Sequence, residues 1–240
     1  MGDTDGRTLV MGDVHGAHRA LVQVLERSGF DPTADRMVFL GDVADGWPDT
    51  RACIDELLRI PHLVHLLGNH DEWFAEWARG GHPGNIWTSQ GGGATMAAYQ
   101  FGRMNIPPAH LDYLRRAKLW HQEGGRIFVH GGWPWQEHNH PAECRTTEDV
   151  LWDRSLWRSA LERAANGRLR PLTQFSEVYI GHTTSTRAGF TEPVQRCEVW
   201  NLDQGAGWDG KLSILDVDTK KFWQSDRVAE LYPEVTGRKG

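Results

Sequence analysis

Residues 8–16 read Thr-Leu-Val-Met-Gly-Asp-Val-His-Gly. Four residues suited to a buried strand are followed by a glycine turn that carries Asp13 and His15. The arrangement recurs along the chain. Residues 37–40 precede Gly41-Asp42-Val43-Ala44-Asp45, residues 63–67 precede Gly68-Asn69-His70-Asp71, residues 126–129 precede His130-Gly131-Gly132, and residues 177–180 precede Gly181-His182-Thr183. In α/β sheets ligands sit outside the carboxyl ends of the strands, where side chains from neighbouring strands converge. Glycine permits the tight turn and lets backbone approach a ligand. One Gly-Asp after a strand is usually a turn, and a lone loop histidine is usually solvated; five such signatures after five strands point to one site.

Working outward, further strand-like runs lie at 198–202 and 211–217, flanking the glycine-rich stretch 203–210, which reads as the loop of a hairpin. Helices are expected over 18–28, stopped by Gly29, over 48–60 with Pro48 in the first turn, and over 71–79, 107–120 and 147–166. Asp71 is a candidate N-terminal cap. The order βαβαβα followed by strands predicts an α/β fold whose sheet turns mixed or antiparallel towards the C-terminus. Residues 80–105, with Gly-Gly pairs and Gln90-Gly91-Gly92-Gly93, are expected as loops beside the core, with 133–145 as a second loop near the site. No repeat or linker interrupts the chain, so a single domain over 1–240 is expected.

The 240 residues carry a formal net charge of −6, with 39% hydrophobic and 24% charged residues. Such a chain can bury a full core and lacks the basic excess of a duplex-binding surface. Three cysteines, Cys53, Cys144 and Cys197, without a C-x-x-C pair, fit a reducing compartment. The polar, glycine-rich start and the lack of a long apolar run predict a cytoplasmic chain without signal peptide or membrane span. Of the twelve tryptophans, most are expected to pack the core or line a groove.

Carboxylate, carboxamide and imidazole together suit divalent transition metals, and without cysteine they suit manganese, iron or zinc. The donors exceed what one metal with an open position needs, so two metals sharing a carboxylate use them economically. GDVHG, GDVAD, GNHD, HGG and GHT, in that order over residues 12–183, resemble the calcineurin-like metallophosphoesterase superfamily. The first and fourth most resemble its phosphoprotein (serine/threonine) phosphatase family, in its compact bacterial and phage forms. That resemblance implies a central β-sandwich flanked by helices. It implies one metal on Asp13, His15 and a bridging Asp42, and a second on Asp42, Asn69, His130 and His182. His70 would be the general acid, oriented by Asp45, and a hydroxide bridging the metals the nucleophile. The substrate would be a phosphorylated small molecule or phosphoprotein.

One departure stands out. The family reads Asp-Arg-Gly where this chain has Asp45-Gly46-Trp47, so a guanidinium clamp on the phosphate is lost. Arg154, in Trp152-Asp153-Arg154, matches a second family arginine and, with Asn69, is the substrate-binding candidate; its bland reading is a helix-surface ion pair with Asp153. Trp47, replacing a small residue, is expected to shape substrate access. The lost arginine keeps a phosphodiesterase or dinucleoside polyphosphate hydrolase as alternatives to a phosphomonoesterase. The intact donor set speaks against a non-catalytic binding module. His138 and His140 read as an exposed loop, and Gln90–Thr95 as either a flap or a structural turn.

Overall fold

The computed structural model describes residues 6–82, 84–235 and 237. Two five-stranded mixed sheets pack face to face. The first has the order β10-β9-β1-β2-β3, with β1 Thr8–Met11, β2 Arg36–Phe39, β3 Leu63–His65, β9 Ser213–Asp216 and β10 Phe222–Gln224. The second has the order β4-β5-β6-β8-β7, with β4 Trp120–Glu123, β5 Arg126–Val129, β6 Glu177–Ile180, β7 Val194–Arg196 and β8 Val199–Asn201. Strands β1, β2 and β3 run parallel, as do β5, β6 and β8, while β9, β10, β4 and β7 pair antiparallel with their neighbours.

Strand period explains the three-layer core. In β1, Leu9 and Met11 face the helices while Val10 faces the other sheet; in β2, Met37 and Phe39 do the former and Val38 the latter. In β5 and β6, Phe128 and Tyr179 point between the sheets and their neighbours point outward. Both faces of each central strand are therefore buried, which is why these runs are continuously apolar. Helices α1 His18–Ser28 and α2 Thr50–Leu57, with α3 Asn69–Ala78, cover the first sheet. Gly29, at φ 59°, ends α1 in the left-handed conformation that favours glycine.

Several expectations are corrected. Residues 80–105 form helical turns: α4 Gly84–Trp87, a π-turn Thr88–Gly92, α5 Gly93–Ala98 and a 3₁₀ turn Arg103–Asn105. Burial of Trp87, Thr95 and Tyr99 holds the segment to the core despite its glycines. The helix expected to reach residue 120 is α6 Pro108–Arg116, and β4 follows it. The helix expected over 147–166 splits into α7 Glu148–Leu151 and α8 Ser155–Ala165, because Asp153 accepts the amide of Leu156 and starts a new helix. The runs around 203–210 form no hairpin. Strand β8 lies parallel to β6 in one sheet, β9 pairs with β1 in the other, and the glycine-rich stretch crosses between them. Residues 133–145 pack Trp133, Trp135 and Cys144 onto the outer face of the second sheet and line no part of the cleft described below.

Candidate active site

The carboxyl ends of β1, β2, β3, β5 and β6 open into one cleft of about 530 Å³. Backbone geometry there is unusual. His15, Asp42, Asp45 and His182 all have positive φ, between 51° and 72°. Non-glycine residues enter this region at a cost and tend to do so at functional sites. The neighbouring glycines are sterically required. A β-carbon on Gly68 would lie 2.0 Å from Asp42 Oδ1, and one on Gly181 would lie 2.1 Å from Asp13 Oδ1.

Two sets of donor atoms converge: His15, Asp42 and His70, and Asp42, His130 and His182, each set within 4.8 Å. Asp42 belongs to both. His15 Nε2 stands 3.6 Å from Asp42 Oδ2 and 3.9 Å from Asp13 Oδ2, and His130 Nε2 stands 3.4 Å from Asp42 Oδ2. Asn69 Oδ1 lies 3.0 Å from His130 Nε2 and 2.8 Å from His182 Nδ1. Second partners fix the rings. His15 Nδ1 donates to the Ala44 carbonyl at 3.0 Å and His130 Nδ1 to the Leu40 carbonyl at 2.8 Å, so each turns Nε2 inward.

These residues fit divalent cations. Asp13 Oδ1 is buried without a hydrogen-bond partner among the described residues, and such an atom needs either a partner or a cation. Burial, Asp203 and Asp42 push the Asp13 carboxyl well above its usual range. Burial opposes ionisation of Asp42, yet His130, His70 and His15 together hold it well below that range. Burial likewise works against a charged His130, but the carboxylates of Asp42 and Asp13 outweigh it and push its pKa up to about 10. Burial and His130 hold His182 well below the usual histidine value. The cluster thus concentrates negative charge around a common centre and calls for positive charge there.

His70, a member of the first set, has its ring 4.9 Å from that of His15 and edge-on to it. Its Nδ1 stands 2.7 Å from Asp45 Oδ2. Asp45 is fully buried and tethered by residues that the sequence did not single out for it: Trp87 Nε1 donates to Oδ2 at 2.8 Å and Thr95 Oγ1 to Oδ1 at 2.7 Å. Their only sequence signal is the glycine run 91–93, where a β-carbon on Gly92 would press into the Trp87 ring at 2.4 Å. The stretch Gln90–Thr95 is therefore a structural turn that braces Asp45, with Gln90 also lining the cleft. Gly46 has φ 96° and donates its amide to Gly91 O; that backbone conformation favours glycine and would strain an arginine.

Asp71, at the third position of α3, caps more than its helix. Its carboxylate accepts the amides of Gly68, Asp42, Val43 and Ala44 at 2.8–3.2 Å, tying the β3 turn to the β2 turn. Burial and Asp42 raise its pKa to about 7, against the four N–H donors that favour the ion. Replacing Asp71 with alanine strands these donors, and denaturant unfolding should record a loss of about 3 kcal/mol. A loss under about 1 kcal/mol would show that the four bonds contribute little.

Arg154 makes no ion pair with Asp153, which instead serves Ser155 and Leu156. Its Nε donates to His182 Nε2 at 3.2 Å. Burial and the neighbouring Arg158 and Arg187 lower its pKa. Trp152 and Trp73 form an aromatic wall, 5.1 Å apart, touching His182 and His70 respectively. Trp47 does not shape the cleft. It is buried beneath it, donating to the Ala206 carbonyl and stacking on Tyr232. His138 and His140 lie outside the cleft, with His140 capping the turn Pro141–Glu143.

A two-sheet sandwich with paired metal-type donors at its strand ends defines a metallophosphoesterase, and the calcineurin-like phosphoesterase family profile matches residues 6–183; the chain belongs to that family, which uses a dinuclear divalent metal centre. Among its relatives, serine/threonine-protein phosphatase 1 of Salmonella typhimurium (strain LT2) is 26% identical over 87% of this chain and 90% of its own length. The symmetrical bis(5'-nucleosyl)-tetraphosphatase of Nitrosomonas europaea is 31% identical, but over 52% of this chain and 44% of its own length. A solved serine/threonine phosphatase from Saccharomyces cerevisiae shares the fold, at TM-score 0.62 and 12% identity over 98% of this chain and 84% of its own. Among the described residues no helix is long and apolar enough to cross a membrane.

Proposed function

We propose that this chain is a metal-dependent phosphomonoesterase acting on a phosphoprotein or a phosphorylated small molecule. The observation that carries this reading is the His70–Asp45 pair, at 2.7 Å and held by Trp87 and Thr95, in the same cleft as both donor sets. Asp13, His15 and Asp42 would hold one cation and Asp42, Asn69, His130 and His182 the other, manganese being the first candidate, with iron or zinc next. Two such cations supply Lewis acidity to the phosphoryl oxygens and lower the pKa of water towards neutrality. The protein's own work is then positioning and proton transfer. Asp45 holds Nδ1 of His70 at 2.7 Å and fixes the ring, leaving Nε2 as the atom to deliver a proton to the departing ester oxygen. Arg154, beside His182, places positive charge next to the phosphate, and Asn69 is set to contact both substrate and cation.

The missing arginine at Gly46 supports a second reading, a phosphodiesterase or dinucleoside polyphosphate hydrolase on the same residues, because a monoester dianion gains most from that clamp. The two are separated by stripping the protein of metal, returning manganese, and comparing p-nitrophenyl phosphate with bis-p-nitrophenyl phosphate. Manganese is expected to restore turnover, with the monoester faster. Faster diester cleavage selects the second reading, and no turnover of either returns the chain to a binding role.

A further inference from the structure

Two more arginines line the cleft beyond Arg154. Arg158 lies one turn further along α8, its amide bonded to the Arg154 carbonyl. Residues four apart share a helix face, about 6 Å apart along the axis. Arg187 comes from the 3₁₀ turn Ser185–Ala188, which follows the His182 turn, and its guanidinium sits over the Trp208 ring at 5.7 Å. Trp208 also lines the cleft. Among the described residues, none of the three arginines pairs with a carboxylate, unlike Arg7, Arg36 and Arg126.

Three like charges around one cleft repel one another, in a protein of net charge −6. An arrangement of this kind is stabilised by a polyanion, and planar guanidinium groups bind phosphate oxygens in pairs. Of the three, Arg154 bonds directly to a metal-type donor, His182, while Arg158 and Arg187 line the cleft around it. We infer that Arg158 and Arg187 form a second phosphate subsite, so the preferred substrates carry another phosphate close to the one removed. This rests on the phosphatase reading and narrows its substrate class. That phosphate could belong to a phosphoanhydride chain or to a second ester on the same molecule.

The test is calorimetric titration of the manganese-loaded His70→Asn protein at fixed free manganese. One arm compares AMP with ATP; the other compares a singly with a doubly phosphorylated serine peptide. The extra phosphate should tighten binding about tenfold in at least one arm, the order expected of charge-assisted pairs. The arm that responds identifies the source. The R158Q/R187Q double variant, checked for an unchanged circular dichroism spectrum and metal content, should reduce that gain to about threefold or less. Equal affinities in both arms, or a gain that survives the double variant, would overturn the subsite. The p-nitrophenyl phosphate assay judges the hydrolase reading separately, since binding in this titration requires no turnover.

Discussion

His70→Asn is expected to lower kcat on an alkyl phosphate by ~10²–10⁴-fold, the usual worth of a positioned general acid. On p-nitrophenyl phosphate the loss should be smaller, because p-nitrophenolate departs without needing a proton. The contrast between leaving groups, measured side by side, is the informative quantity. An equal loss on both esters would assign His70 to binding or to metal retention instead of proton delivery. Asparagine suits the test because α3 begins at Asn69 and His70 lies in its first turn, where a polar residue is accommodated. Asp45→Asn should follow His70→Asn in direction, since Asp45 reaches the cleft only through the imidazole.

Asp42→Asn carries the other large effect. Asp42 belongs to both donor sets and stands within 3.6 Å of His15 and His130. Removing its charge should cost at least 10³-fold in turnover, as expected when a metal clamp is lost, and should lower the manganese bound after dialysis. The backbone at Asp42 has φ 58°, a conformation that asparagine tolerates better than most residues. The fold should therefore persist, and a normal circular dichroism spectrum with lost metal is the expected pair of results. Full activity with full metal content would remove Asp42 from the centre of the site.

The convergence of these residues was legible in the sequence because each lies immediately after its own strand. Asp13, Asp42, Asn69, His130 and His182 need only a correct strand and a glycine turn to be placed, and apolar runs set the strands. What braces them was not legible. Trp87 and Thr95 lie 42 and 50 residues from Asp45, and nothing local marks a tryptophan that donates to a buried carboxylate. Arg187 follows His182 by five residues with no motif around it, and joins the cleft only because the turn after β6 folds back. The mistaken hairpin has a similar origin. Two apolar runs around a glycine-rich stretch look adjacent in sequence, and their separation into different sheets depends on pairings with β6 and β1 far away in the chain.

The two sheets meet through the site as well as through the core. His130 of the second sheet donates to Leu40 of the first, and the amide of His182 donates to Asp13. The first half of the chain holds the set His15, Asp42 and His70, whereas the second set joins Asp42 to His130 and His182 of the second half. A growing polypeptide that has completed β1, β2 and β3 possesses Asp13, Asp42 and His70 but lacks His130 and His182, which arrive with β5 and β6. The site therefore doubles as a clasp on assembly: its second donor set exists only when both halves have closed on each other.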